Sequence, residues 1–162
     1  MPDYNVALPS KPKPIREEGS IGVYEIEGLY PGYGHTLGNS LRRIILSSLP
    51  GAAITSLKID GVLHEFSAMD GMKEDVISLI LNLKKVRIKM HTDEPQTVTL
   101  SVKGAKIITA ADIQVDSNVE VLNPKQYICE TTDKNASLHA EIKVEMGLGY
   151  LAKESIQKEK VE

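Results

Sequence analysis

The feature that most constrains this chain is a glycine-rich turn that runs directly into an amphipathic helix, within residues 30–51. Gly32 and Gly34 supply the turn, and Pro50-Gly51 is predicted to stop the helix. Thr36 is predicted to cap its start, because a threonine hydroxyl can accept a hydrogen bond from a free amide of the first turn. Any fold for this chain therefore has to cover the apolar side of this helix.

The helix has two chemically different sides. At about 100° per residue, four apolar residues form the stripe that usually packs on a core: Leu37, Leu41, Ile44 and Ile45. Another side carries Asn39, Arg42, Arg43 and Leu46. Gly38 leaves backbone that another molecule can approach closely. Two interpretations stay open: a packed helix with solvated arginines, or a helix that contacts both its own core and a partner.

The rest of the chain divides around this helix. Residues 1–18 contain four of the eight prolines and are predicted to form an extended, mobile arm. Residues 21–29 alternate as a strand with both faces partly covered. Residues 19–51 are too few to close a core, whereas residues 52–152 have the size of an independent domain. Residues 153–162 alternate in charge and are predicted to be solvated or frayed.

The second part is predicted to be rich in strands and to carry one helix, which makes the fold class α+β. Strands are predicted at 55–59, 62–67, 86–91, 97–103, 119–121, 127–131 and 138–144, with Thr55, Leu57 and Ile59 on one face. Phe66 is predicted to lie in the core, and His64 to be a partly buried histidine with a hydrogen-bond partner. The helix, residues 72–85, is predicted to start at a cap from Asp70 and to bury Met72, Val76, Leu79, Ile80 and Leu83.

Composition excludes several classes of protein. The net charge is -3, so no overall basic field attracts nucleic acid. Cys129 is the single cysteine and is predicted to be a small buried apolar residue. The four histidines lack ligand spacing, so neither a metal nor a cofactor is predicted. No apolar run approaches the ~20 residues that span a membrane, and a cytoplasmic protein is expected.

The glycines at 32, 34 and 38 also suggest a small α+β domain that binds a nucleotide or another ligand. The stretch lacks the Gly-Lys-Ser/Thr of a phosphate-binding loop, so this alternative has weak support. The carboxylates of Asp60, Glu65 and Asp70 lack the tight spacing of a polymerase magnesium site. The residues of this chain predict no catalytic site.

Motifs in fixed order resemble those of the bacterial RNA polymerase alpha subunit, N-terminal domain. They cover nearly the whole chain from Val23 onward. They are Gly32-Tyr33-Gly34-His35-Thr36-Leu37-Gly38-Asn39, Leu41-Arg42-Arg43-Ile44, Gly61-Val62-Leu63-His64-Glu65-Phe66-Ser67, Glu74-Asp75-Val76, Leu81-Asn82-Leu83-Lys84, Thr109-Ala110-Ala111-Asp112-Ile113, Asp133-Lys134-Asn135-Ala136 and Gly147-Leu148-Gly149-Tyr150.

The resemblance implies a partial dimerisation subdomain, a strand plus a long helix within residues 19–51, and an inserted β-rich subdomain at 52–152. It also implies a non-catalytic scaffold that dimerises and nucleates assembly of the beta and beta-prime subunits. The implied dimer interface with a second alpha subunit is Leu37, Leu41, Ile44 and Ile45. The implied beta-binding residues are Arg43, Arg42, Asn39, Gly38, Thr36, His35, Leu46, His64, Glu65 and Phe66, and the implied beta-prime contact is Lys84.

Members of that family continue past the point where this sequence ends, through a returning strand and helix and then a DNA-binding domain. The expectation is therefore a chain truncated relative to the family, either a fragment or a natural short form, whose dimerisation is in question and which makes no direct DNA contact.

Overall fold

The computed structural model describes residues 8–19 and 21–152 of the chain. They form two compact units, the first ending at Leu49 and the second beginning at Pro50. The described residues hold two α-helices and ten strands, which confirms the α+β fold class. The predictions for residues 1–7 and 153–162 lie outside the described residues.

The first unit contains an antiparallel hairpin. Strands β1 (Lys13–Glu18) and β2 (Ile21–Glu25) pair with Glu18 opposite Ile21, and Gly19 takes a φ of 57° in the turn. Residues 13–18 are thus a paired strand, where the sequence predicted a mobile arm. Every described position of both strands is exposed, so the predicted partial cover of 21–29 was wrong for β2. Alternation shows which residues share a face but not whether another layer covers it.

Helix α1 (Tyr33–Ser47) follows the glycine turn. Its N-cap is Gly32, at a φ of 83°, and no side chain caps it. The predicted cap at Thr36 was wrong: Thr36 lies inside the helix, where its carbonyl accepts from Ser40 Oγ at 3.0 Å. The Ser48 amide closes the last turn on the Ile44 carbonyl at 2.9 Å. The helix therefore ends before Pro50-Gly51, which open the next strand.

The second unit contains the remaining eight described strands: β3 (Pro50–Ile59), β4 (Ile88–Met90), β5 (Gln96–Lys103), β6 (Lys106–Thr109), β7 (Ile113–Gln114), β8 (Val119–Val121), β9 (Tyr127–Thr131) and β10 (Ser137–Leu148). Six of them form a sheet in the order β7-β5-β10-β3-β4-β8 with antiparallel neighbours, and β6 pairs with β9 in a separate antiparallel ladder. A 3₁₀ turn, Ala110–Asp112, connects β6 to β7.

Alternating apolar residues of the central strands build the core of the second unit. The buried positions of β5 and β10 are Val98, Leu100, Val102, Leu138, Ala140, Ile142 and Val144. Their polar neighbours face outward, which confirms the predicted one-sided pattern. Cys129 on β9 is fully buried, also as predicted.

A β-bulge in β3 changes which residues share the core face. Val144 pairs with Ile54 and Lys143 with Ser56, so β3 has one extra residue, Thr55, at this point. Thr55 is exposed, and its hydroxyl donates to the Glu145 carboxylate. The prediction that Thr55 shares the face of Leu57 and Ile59 was therefore wrong, because the bulge resets the alternation.

Helix α2 (Val76–Leu83) is shorter than predicted. Asp75, not Asp70, is its N-cap and accepts from the Ser78 amide at 2.9 Å. The predicted stripe is confirmed: Val76, Leu79 and Leu83 are buried, and Ile80 and Met72 pack against the same core.

Residues 62–67 are not the strand that the sequence predicted. They form an irregular loop after Gly61, which has a φ of 78° and turns the chain out of β3. The core prediction for Phe66 was wrong, since 77% of its surface is exposed. The partly buried position predicted for His64 was also wrong, because that residue is exposed.

Candidate protein-protein interface

The apolar stripe of α1 is not buried among the described residues. No residue of α1 is buried; Leu37 is partly exposed, and Leu41, Ile44 and Ile45 are exposed. The expectation that this stripe packs on the core of its own chain was wrong for the described residues. Isolated exposed apolar residues are common, but a continuous stripe of them marks an interaction surface.

The opposite flank of α1 is polar but also exposes a leucine. Arg42 Nη2 donates to Asn39 Oδ1 at 2.7 Å, one turn away, so both side chains are held along the helix surface. Leu46 is 72% exposed. Exposure of this leucine to water is unfavourable, because full burial of a leucine side chain contributes about 1.5–3 kcal/mol of free energy.

Arg43 lies on the same flank with its guanidinium exposed. Its backbone carbonyl accepts from Ser47 Oγ at 2.6 Å, whereas its side chain makes no hydrogen bond or ion pair with the described residues. An arginine fork carries five donors and suits carboxylates or carbonyls of a partner. Substituting it should therefore leave the helix intact.

The first turns of α1 border a shallow concavity of about 290 Å³, lined by Gly34, His35, Gly38, Asn39 and Arg42. A Cβ built on Gly34 or Gly38 meets nothing within 4 Å, so both glycines leave open backbone. The hollow lies on the surface of a single helix, which suits coverage by a partner surface better than enclosure of a small ligand.

The second unit presents an exposed apolar loop at residues 62–68. Leu63 is 95% exposed, and the rings of His64 and Phe66 lie 6.5 Å apart between centroids. The Ser67 amide donates to the His64 carbonyl at 3.1 Å, and Ser67 Oγ lies 3.2 Å from His64 Nδ1, so a tight turn shapes the tip. Glu65 beside them is partly buried.

Lys84 lies at the C-terminal end of α2. It is exposed, and its amide donates to the Ile80 carbonyl at 3.0 Å. A cation is favoured at this position, because the last carbonyls of a helix carry partial negative charge.

The structure thus places the predicted site residues at four positions: the two sides of α1 in the first unit, and the loop and Lys84 in the second. Sequence reasoning missed Tyr33 and Leu63. Tyr33 continues the stripe one turn before Leu37, but the assumed cap at Thr36 left it outside the helix. Leu63 was assigned to a strand, and its exposure had no clear signal in the sequence.

Among residues 8–19 and 21–152, no group of three or more histidine, cysteine or acidic side chains is arranged to hold a metal ion. No helix in that part of the chain is both long enough and apolar enough to cross a membrane.

Comparison with known proteins identifies relatives. The sequence profile of the RNA polymerase Rpb3/RpoA insert domain matches residues 57–162. The chain is 50% identical over 147 residues to the DNA-directed RNA polymerase subunit alpha of Roseiflexus castenholzii, covering 91% of this chain and 45% of the relative. It is 55% identical over 137 residues to the subunit alpha of Symbiobacterium thermophilum, covering 85% of this chain and 43% of the relative.

The chain therefore spans less than half the length of these two relatives. The profile match covers most of the chain and includes the loop, α2 and the core strands. By this match and by the named relatives, the chain belongs to the RNA polymerase Rpb3/RpoA insert-domain family and resembles bacterial alpha subunits.

Proposed function

We propose that this chain acts as the alpha subunit of a DNA-directed RNA polymerase, as a non-catalytic scaffold on which the large subunits assemble. The observation that carries the proposal is α1, a fifteen-residue helix with no buried residue and an apolar stripe. An isolated helix of this length is marginal in water, so tertiary or quaternary packing has to stabilise it. The relatives named above are alpha subunits of the same enzyme.

The apolar stripe of α1 binds a second copy of the chain. Leu37, Leu41, Ile44 and Ile45 are spaced to form one continuous face, and they lack acidic or basic side chains that would oppose burial. A two-fold interface uses the same patch on both copies, which suits a self-complementary apolar stripe.

The opposite flank of α1 binds the beta subunit. Arg43 is its centre, because its side chain is exposed and pairs with no described residue of its own chain. Arg42, Asn39, Leu46, His35, Thr36 and Gly38 form the surrounding surface. The exposed loop with His64, Glu65 and Phe66 contributes a second contact to beta, and Lys84 binds beta-prime through a carboxylate or carbonyl group.

The proposal assigns residues 19–51 to the first segment of a dimerisation subdomain and residues 52–152 to an inserted β-rich subdomain. It gives this chain a place in a nucleotidyltransferase but no active site, no cofactor and no direct contact with DNA. It also places the protein in the cytoplasm, where transcription takes place in bacteria.

The test is capture of the large subunits by tagged variants of the full chain. We expect Arg43→Ala to abolish beta capture while its thermal unfolding midpoint stays at the wild-type value, because the side chain is exposed and makes no hydrogen bond or ion pair with the described residues. Arg16→Ala is the matched control, since Arg16 is also an exposed arginine and lies on β1 outside the proposed surface.

Two outcomes would contradict the proposal. Normal beta capture by Arg43→Ala would remove this arginine from the interface. Unfolding of Arg43→Ala would show that the side chain serves the fold of its own chain instead of a partner.

A further inference from the structure

A half-buried carboxylate lies where the exposed loop of the second unit rejoins regular structure. Glu74 directly precedes the Asp75 cap of α2 and follows the loop by a few residues. One of its oxygens accepts from the phenol of Tyr127, and the other accepts from the Glu130 amide at 2.8 Å. Both donors belong to β9, so this one side chain fastens the segment before α2 to the β6–β9 ladder.

Neighbouring residues reinforce this attachment. The Lys73 amide donates to the Glu130 carbonyl at 3.0 Å, and Lys73 Nζ lies 2.7 Å from the Glu130 carboxylate. The Gly71 carbonyl accepts from the Thr132 amide at 2.8 Å. Residues 71–74 therefore run along the end of β9 and the residue after it.

Gly71 shows how closely this segment approaches the neighbouring turn. It has a φ of 74°, and a Cβ built on it would lie 2.9 Å from the Ala136 Cβ. Only glycine fits this backbone conformation and this spacing without a shift of the neighbours. The C-terminal end of the loop is thus fixed by both hydrogen bonds and close packing.

Burial and Glu74 both favour the protonated form of the Tyr127 phenol. Burial, followed by the hydrogen bond to and the charge of Glu74, raises the pKa of Tyr127 far above its ordinary value. The phenol therefore stays protonated and remains a donor across the physiological range. Among the described residues, Glu74 accepts the hydrogen bond from this hydroxyl.

The tip of the loop is held differently. The N-terminal end is attached where the Asp60 amide donates to the His139 carbonyl at 3.1 Å. Val62 and Met69 pack against the core, while Leu63, His64 and Phe66 between them are exposed. The exposed tip therefore lies between two attached ends.

We infer that Glu74 is a positioning residue that holds residues 62–73, which contain the exposed loop 62–68, in the conformation that presents Leu63, His64 and Phe66 to a partner. The part of this inference that concerns the partner rests on the proposed function. The part that concerns the holding of the loop depends on this chain alone.

The test measures amide hydrogen exchange of the full chain and capture of the beta subunit in the same variants. In Glu74→Ala, the Tyr127 hydroxyl and the Glu130 amide both lose their acceptor, so exchange in residues 62–73 should rise roughly tenfold. Exchange in β5 and β10 should stay at the wild-type rate, and beta capture should weaken. Glu74→Gln keeps one acceptor oxygen and should fall between wild type and Glu74→Ala.

Asp75→Ala is the matched control, because it removes the adjacent acidic side chain and the α2 cap but neither bond to β9. It should speed exchange at the start of α2 and leave the loop and beta capture unchanged. This comparison separates positioning of the loop from a general loss of stability.

Unchanged loop exchange in Glu74→Ala, or an equal rise throughout the sheet, would overturn the inference. A mobilised loop with full beta capture would overturn the positioning role. Failure of the wild-type chain to capture beta would defeat the proposed function itself, and the exchange data would still decide whether Glu74 holds the loop.

Discussion

Ile44→Asp tests the stripe of α1 as a surface for a second copy of the chain. Ile44 is 52% exposed, so a partner can cover about half of its side chain. Full burial of an isoleucine is worth about 1.5–3 kcal/mol, and half of that is about 0.8–1.5 kcal/mol per copy. A two-fold interface contains the residue twice, so the dimer should lose about 1.5–3 kcal/mol. The dissociation constant should rise roughly 10- to 150-fold, and the buried aspartate makes this a lower bound.

The assay is sedimentation of the purified chain over a range of concentrations. The wild-type chain should shift from monomer to dimer as its concentration rises, and Ile44→Asp should need at least tenfold more protein for the same shift. Thermal unfolding of the monomer should be nearly unaffected, because Ile44 packs on no described core.

Leu46→Asp is the matched control on the same helix. Leu46 is even more exposed than Ile44 but lies on the opposite flank, so its substitution should leave self-association unchanged. Equal dissociation of both variants would refute the assignment of the stripe, as would a wild-type chain that stays monomeric at every concentration.

Two further predictions concern the second unit. Leu100→Ala should lower the free energy of unfolding by about 2–5 kcal/mol in urea titrations, because Leu100 is 0% exposed, whereas Leu63→Ala at an exposed position should change it by less than about 0.5 kcal/mol. An equal loss in both variants would mean that the core is misassigned. Burial raises the pKa of the Cys129 thiol to about 12, so a thiol reagent at pH 8 should label it only in denaturant, and rapid labelling of the folded chain would contradict its burial. The thiol ionises at a lower pH in the unfolded chain than in the folded chain. The free energy of unfolding should therefore fall as the pH rises from about 9 toward 12.

The core of the second unit was predictable from the sequence because its signal is local. Val98, Leu100 and Val102 alternate with polar residues, and a half-buried strand in a sheet requires that alternation. The stripe of α2 has the 3.6-residue period for the same reason. These patterns identify faces, and in this unit each apolar face meets another one within the same chain.

The errors arise where local signals compete or where a covering layer is needed. Thr36 and Asp70 can both cap a helix, but Gly32 in the left-handed region and Asp75 started the helices instead. The extra residue at Thr55 inverts the alternation of β3, and no residue type in the sequence indicates that a bulge lies there. Phe66 and the residues of the α1 stripe are as apolar as core residues. The sequence alone does not show whether their own chain or a partner covers them.

The site residues on α1 were identified more by resemblance than by physics. The helical period separated the stripe from the flank with Arg43 and Leu46, but it did not exclude a packed helix with solvated arginines. Among the described residues both sides are exposed, so the packing on the chain's own core that both interpretations assumed was wrong, and contact with a partner stays a prediction. The contribution of Glu74 was not predictable, because its two donors lie more than fifty residues away in sequence.

The most direct measurement for the central claim is photo-cross-linking from the two sides of α1 in assembling enzyme. An apolar photoreactive side chain replaces either Leu46 or Ile44 in the full chain, which is then mixed with the large subunits, and Arg43 stays in place. The account predicts that position 46 cross-links to the beta subunit and that position 44 cross-links to a second copy of this chain. The same cross-linked partner at both positions, or cross-links only within one chain, would contradict a helix whose two sides serve two different polypeptides.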